Sequence, residues 1–190
     1  MSFQKTLEAS QEWARILHCS YVTDLNEIVE NGNIGELIRV SEALHEKRIA
    51  NIADEIARKI ATRRLVLIAG PSSSGKTSFA QRLRVQLRVM GLEPVSISMD
   101  DYFHNREDTP KKPNGEYDFE CLGAIDLPLF NHDLQKLLSG ELVRIPKFNF
   151  KKGTRDSKPS AVIQLKPNQP IIIEGIHGLN DRVSSLSFRP

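Results

Sequence analysis

Gly70, Gly75, Lys76 and Thr77 stand at the spacing G-x-x-x-x-G-K-[ST], with Ser72, Ser73 and Ser74 between the glycines and Ser78 just after the motif. Glycines at these points let the backbone fold back so that successive N–H groups converge on phosphate oxygens. A helix opening at Lys76 adds the positive end of its dipole. Lys76 then supplies a point charge to the outer phosphates of a nucleotide, and the Thr77 hydroxyl is an oxygen ligand for Mg2+. At ordinary residue frequencies this pattern arises by chance in a chain of this length with a probability of about 1%, so a merely flexible Ser/Gly turn is the weaker reading.

Two more places carry acids where such chemistry needs them. Asp100 and Asp101 follow the short apolar segment Pro94–Ser98, and Glu174 follows Ile171, Ile172 and Ile173. In an open parallel sheet, ligands collect beyond the carboxyl ends of the strands. If these segments are neighbours of the run Leu65–Ala69, one sheet edge gathers a phosphate cradle, carboxylates for Mg2+ and a carboxylate to take a hydroxyl proton, which is the set phosphoryl transfer requires. The competing readings are a solvated turn or helix cap for the aspartates and a structural partner for Glu174, because an acid after three isoleucines is costly unless paired. His177 is ambiguous: it is placed to reach phosphate, but a structural role is the stronger reading.

The elements that must position these groups follow from the apolar pattern. Residues 1–62 contain no proline, and their apolar residues recur at helical spacing. Leu7, Trp13, Ile16 and Leu17 form one stripe, and Leu37 to Ile60 a longer one. Asn31-Gly32 separates the two, and Thr23 or Asp24 is placed to cap a short helix between them. From residue 63 to 190 the texture changes to short apolar runs alternating with amphipathic stretches. Leu65–Ala69 reads as a strand buried on both faces, Lys76–Met90 as a helix closed by Gly91, Pro94–Ser98 as a strand and 103–118 as a polar loop. Asp126 is placed to cap a helix over Leu127–Leu138, and extended segments at Leu142–Ile145 and Ala161–Leu165 flank a polar loop at Lys151–Ser160. The expected architecture is α/β: a mostly parallel sheet flanked by helices, preceded by a helical amino-terminal segment.

Composition excludes several classes. The chain has 190 residues, a net charge of +2, 39% apolar and 26% charged side chains, which suits a globular chain and not a disordered one. That balance does not favour nucleic acid or an anionic membrane as a partner. Lys147, Lys151, Lys152, Arg155 and Lys158 form a basic loop, read as a solvated face. Cys19 and Cys121 stand alone, without the spacing of a zinc site or a disulfide framework. The longest apolar runs are too short to span a bilayer, and Met1–Ser10 lacks the apolar core of a signal peptide. A soluble cytoplasmic protein is expected, and the sequence leaves assembly into a homo-oligomer open.

Taken together, the motifs from Gly70 to Asn180 resemble the uridine kinase and phosphoribulokinase family of P-loop kinases. Ser98-Met-Asp-Asp-Tyr-Phe103 is similar to the family's S-x-D-x-F-Y segment, and Tyr117-Asp-Phe-Glu120 with Ala124-Ile-Asp126 to its N-F-D-x-P-x-A-F-D segment. Ile145-Pro-Lys-Phe-Asn-Phe150 with Thr154-Arg155 resembles I-P-x-Y-D-F followed by S-R, and Ile172-Ile-Glu-Gly175 resembles V/I-E-G. Neither the guanine-reading N-K-x-D motif nor an ABC-type signature is present. The resemblance implies ATP and Mg2+ as cofactors, Asp100 as general base beside Lys76, and Thr77 and Glu174 at the metal. It implies Tyr102 or Phe103 along the acceptor pocket, Glu120 on ribose hydroxyls, Phe148 against the acceptor and Arg155 at the mouth of the site.

The expected activity is transfer of the γ-phosphate of ATP to a hydroxyl of a nucleoside, uridine-like, or a related small hydroxylated acceptor. The alternative is a nucleotide-binding regulatory or interaction module without turnover. Three departures bear on the acceptor: Glu120 is one methylene longer than the family's acid, Gly153 stands where pyrimidine nucleoside kinases carry a base-reading His, and Phe148 replaces a Tyr. Loss of buried polar readers removes discrimination, so the resemblance does not fix uridine or cytidine. The stretch Leu25–Ile60 resembles the connector of longer multidomain nucleoside-kinase-like proteins whose amino-terminal part resembles a threonyl-tRNA synthetase appendage. The resembled kinases continue through further strands and an arginine-bearing lid, so the carboxyl-terminal part of the kinase fold is expected to be missing.

Overall fold

A computed structural model of the chain describes residues 3–184. The amino-terminal stretch is helical, as its apolar spacing predicts: α1 spans Phe3–Ile16, α2 Val22–Glu30 and α3 Ile34–Lys59. Gly32, at φ +73°, supplies the left-handed turn between α2 and α3. Asp24 does cap α2, but from inside its first turn, where its carboxylate accepts the N–H groups of Ser20 and Tyr21 at 2.9 Å each. The chain divides into two compact units, Met1–Ala50 and Asn51–Pro190, which part within α3. Because the strand-and-turn pattern opens only after that helix, we propose 63–190 as the extent of the phosphate-binding domain and 1–62 as a helical connector.

The second unit continues with β1 (Leu65–Ala69), α4 (Lys76–Val89), β2 (Val95–Ser98), α5 (Leu127–Leu138), β3 (Val143–Ile145), β4 (Phe148–Asn149), β5 (Thr154–Arg155), β6 (Ala161–Ile163), β7 (Ile171–Gly175) and α6 (Asp181–Ser184). Three 3₁₀ turns, Met99–Tyr102, Arg106–Asp108 and Leu122–Ala124, interrupt the long connection after β2. The main sheet is parallel, in the order β1-β7-β2. Ile171, Ile172 and Ile173 are fully buried at its centre. Ile171 and Ile173 face a core with Met99, Tyr102, Phe130, Leu134, Leu137, Val143 and Ile145, while α4 packs against β7 and β1 through its own buried face of Ala80, Leu83 and Leu87.

Two details differ from the sequence reading. All five residues of β1 are half-buried, because among the described residues β1 lies at the sheet edge and not between two strands. The polar run 151–160 contains part of a two-residue ladder, in which Phe148 pairs with Arg155 and Asn149 with Thr154. That hairpin carries no apolar alternation long enough to show as a strand. β3 and β6 pair antiparallel, as two extended segments flanking a loop would.

Helix α5 begins where Asp126 predicts it. One carboxylate oxygen accepts the Leu129 N–H at 3.1 Å, and the other accepts from Arg155 at 3.2 Å. Asp126→Ala removes both and is expected to cost about 1–3 kcal/mol in urea unfolding. Asp126→Asn, which keeps the cap and loses the charge, is expected to cost less. Equal losses in the two variants would show that the cap contributes nothing.

Candidate active site

The register of the parallel sheet decides what meets at its carboxyl edge. Ile68 of β1 and Ser98 of β2 both lie opposite Glu174 of β7. The three strands therefore release their chains in one row, into the turn 70–75, the turn Met99–Tyr102 and the turn after Gly175. In the first of these, Ser73 takes φ +58° and Gly75 φ +84°, left-handed conformations that fold the backbone inward before α4. A Cβ at Gly70 would lie 2.7 Å from Ser74 Oγ, so a side chain there would displace the Ser74 hydroxyl. Ser72, Ser73 and Ser74 are exposed around the turn, and Ser78 is exposed in the first turn of α4. Lys76 Nζ donates to the Pro71 carbonyl at 2.8 Å, folding the ammonium over the turn.

Across the gap, Thr77 Oγ1 donates to Glu174 Oε2 at 2.9 Å. Asp100 is half-buried, and its N–H is held by Ser98 Oγ at 3.3 Å. Burial pushes the Asp100 carboxyl above the ordinary aspartate range; the Glu174 carboxylate adds to the rise, Lys76 offsets part of it and Asp101 adds a smaller increment. Asp100, Glu174, Lys76 and Thr77 thus form one electrostatic neighbourhood. Asp101 lies apart from it in role: its carboxylate accepts the Phe148 N–H at 3.2 Å and pairs with Lys147 at 3.8 Å, fastening β4 to the turn.

The acceptor side is more mixed. Tyr102, expected along the acceptor pocket, is 1% exposed; its hydroxyl donates to Asp133 at 3.1 Å and its ring meets Phe130 edge-on. The reason is the phase of the 3₁₀ turn, in which residues three apart point the same way, so Met99 and Tyr102 both face the core. Burial raises both members of this pair, the Tyr102 hydroxyl and the Asp133 carboxyl. Arg155, expected at the mouth of the site, is instead an internal brace. Its guanidinium donates to the carbonyls of Phe103 and Tyr102 at 3.0 Å each and to Asp126 at 3.2 Å. Phe103 and Phe148 are buried with ring centroids 5.5 Å apart, and Phe150 completes the cluster. Glu120 is exposed, its N–H held by Asp118, and its carbonyl accepts from His177 Nε2 at 3.0 Å. His177 therefore ties the 117–121 loop to the turn after β7. The sequence reading missed Ser98 as a cap, although a serine ahead of a short helical turn is an N-cap signal; the brace at Arg155 had no sequence signal.

An Mg2+ ion of the kind the sequence implies needs hard oxygen donors. Thr77 and Glu174 offer hard oxygens 2.9 Å apart, and Asp100 is a second carboxylate close enough for Glu174 to add to its raised pKa. Among the described residues, no group of three or more His, Cys, Asp or Glu side chains could hold a metal by themselves. Such a set fits an ion shared with phosphate oxygens and water, as Mg2+ is usually held.

A parallel sheet with an anion-cradling turn between its first strand and the following helix defines the molecule as an α/β protein of the P-loop kinase type. The chain belongs to the Phosphoribulokinase / Uridine kinase family, whose model matches residues 65–187. Over 115 residues it is 30% identical to a uridine kinase from Deinococcus deserti, covering 60% of this chain and 53% of that one. Over 122 residues it is 32% identical to an inorganic pyrophosphatase, TTM2, from Arabidopsis thaliana, covering 64% of this chain and 16% of that one. The solved structure of a possible uridine kinase from Bacillus stearothermophilus shares the fold with a TM-score of 0.56 at 23% identity, covering 70% of this chain and 74% of that one. The chain spans about half the length of the bacterial uridine kinases it matches. Among the described residues no helix is long and apolar enough to cross a membrane.

The raised Asp100 has a consequence for stability. A carboxyl that holds its proton more tightly when folded costs stability as pH rises through its folded pKa, and the cost is absent below the unfolded value, about 3.9. Asp100→Asn is therefore expected to melt at a higher temperature than the parent chain at pH 7, with the difference vanishing near pH 3.5. A lower melting point for Asp100→Asn at pH 7 would contradict the assigned direction.

Proposed function

We propose that this chain carries the nucleotide-binding and catalytic-base portion of an ATP-dependent phosphotransferase that moves the γ-phosphate to a hydroxyl of a nucleoside, uridine-like, or a related small alcohol. The reading is supported above all by the Thr77–Glu174 hydrogen bond, which joins the phosphate turn to the central strand, with Asp100 sensing both Glu174 and Lys76. Backbone N–H groups of 70–75, the start of α4 and Lys76 bind and orient the phosphates. Asp100 accepts the proton of the attacking hydroxyl; its raised pKa makes it a better base than a fully solvated aspartate. Thr77 and Glu174 would hold Mg2+, which would supply positive charge against the outer phosphates. Phe103 and Phe148 give the acceptor side an apolar wall, and Glu120 lies on the loop expected to meet the acceptor hydroxyls.

A second reading is a nucleotide-binding module without turnover. It is favoured by the internal use of Tyr102 and Arg155, two of the residues the resemblance assigns to the acceptor. Acceptor-dependent ADP release from Mg-ATP, across a panel of nucleosides and small alcohols, separates the two. Asp100→Asn is expected to lower turnover by about 10²–10⁴-fold while a fluorescent ATP analogue still binds, and Lys76→Ala to weaken that binding. Undiminished turnover in Asp100→Asn would remove the general base from the proposal.

A further inference from the structure

The turn that leaves β7, Gly175 to Gly178, has no chemical task, yet it is wedged between segments that carry the site. Both of its glycines are buried. A Cβ at Gly175 would lie 2.8 Å from Met99 Cβ, so this end of the wedge abuts the 3₁₀ turn that holds Asp100. A Cβ at Gly178 would lie 2.9 Å from the Ile68 carbonyl oxygen, so the other end lies flat on β1, two residues before Gly70. Between them, His177 Nε2 stands 3.0 Å from the Glu120 carbonyl oxygen. A carbonyl can only accept, so Nε2 carries a proton, and this sets the tautomer of the neutral ring.

Contacts this close leave the wedge little freedom to absorb a displacement, and packed groups pass a shift on. The phosphate turn acts on it from both ends. Lys76 Nζ donates to the Pro71 carbonyl at 2.8 Å, and an anion seated on the 70–75 amides competes for that ammonium just beyond Ile68. Glu174, bonded to Thr77 at 2.9 Å, directly precedes Gly175. On the far side, the 117–121 loop is fastened by the Asp118 N–H, which donates to the Pro110 carbonyl at 2.7 Å, and by the Glu120 N–H, which donates to Asp118 Oδ1 at 3.2 Å. Those two bonds stay within the connection after β2. The bond from His177 reaches the loop from the main sheet.

We propose that His177 is a positioning residue that makes the 117–121 loop respond to nucleotide. Phosphates on the 70–75 turn steady the wedge, and the bond to Glu120 then holds the loop closed; without nucleotide the loop opens more often. This deepens the phosphotransferase reading and rests only on its nucleotide-binding half, so no acceptor has to be known to test it.

Amide hydrogen exchange on the full chain, with and without Mg-ADP, is the test, and binding of a fluorescent ADP analogue is measured on the same samples. The bonded Asp118 and Glu120 amides exchange when the loop opens. In the parent chain their exchange is expected to slow about fivefold or more on adding Mg-ADP. His177→Asn, whose amide falls nearer the position of Nδ1, and His177→Ala are expected to bind the analogue as the parent does but to lose the slowing. His177→Gln, whose amide falls near the position of Nε2, is expected to recover most of it. A merely structural tie would speed exchange equally with and without Mg-ADP and leave the ratio unchanged. A parent loop indifferent to bound Mg-ADP, full slowing retained in His177→Asn and His177→Ala, or no recovery in His177→Gln would overturn the proposal. If the analogue binds and the loop is indifferent, the inference falls alone; if the analogue does not bind the parent chain, the nucleotide-binding reading falls and takes the inference with it.

Discussion

A hydroxyl of α4 bonded to a carboxylate of β7 closes a contact between residues 97 positions apart, and the arrangement of the site depends on it. The bond is available only because the parallel register sets Ile68 and Ser98 level with Glu174. A shift of one residue would turn Glu174 toward the opposite face of the sheet and bring an isoleucine to the phosphate turn. Ile171 and Ile173 face the α5 side and Ile172 faces away from it, and the end of the strand guards against that slip: a Cβ at the place of Gly175 would lie 2.8 Å from Met99 Cβ. The core thereby specifies the chemistry at one remove. Packing of β7 fixes where the strand ends, and the end of the strand fixes where the acid stands.

The loops expected to meet an acceptor are held by different means. Among the described residues no strand pairs across them to the main sheet; instead, polar and charged side chains reach backbone groups. Asp101 holds β4, Arg155 gathers two consecutive carbonyls and Asp126, and His177 holds the carbonyl of Glu120. Hydrogen bonds to charged groups contribute about 1.5–3 kcal/mol, roughly twice the neutral kind. A loop region with little regular structure can be made rigid by a few of them, which is why residues resembling substrate contacts turn out to be braces. The same economy places Tyr102 and Asp133 together in the core, where each relieves a polar atom of the other that burial would otherwise penalise.

How much of this was readable in the sequence follows from the range of the forces involved. The phosphate turn, the cap at Asp126 and the helix behind it depend on residues within one turn of each other, and the structure places them as their spacing predicts. The first strand end was readable from the glycine spacing that follows it, and the other two because an acid beside an apolar run is costly unless something answers the charge. Tyr102 was not, because its direction is set by the phase of a four-residue 3₁₀ turn, a matter of one residue more or less. Arg155 was not, because its partners lie 29 and more positions away. The half-exposure of β1 depends on which strand lies beside it, and a five-residue apolar run carries no mark of being at an edge.

This division between what is local and what is not also explains why family membership speaks more clearly about the phosphate than about the acceptor. Phosphate is met by backbone N–H groups and a helix start, which any chain with the glycine spacing reproduces whatever its other side chains. An acceptor is met by side chains on loops, whose seats single substitutions can reset; a Cβ at Gly153, for one, would lie 2.8 Å from Arg106 Nε. Relatives that match this chain at 30% and 32% identity accordingly carry names as different as uridine kinase and inorganic pyrophosphatase.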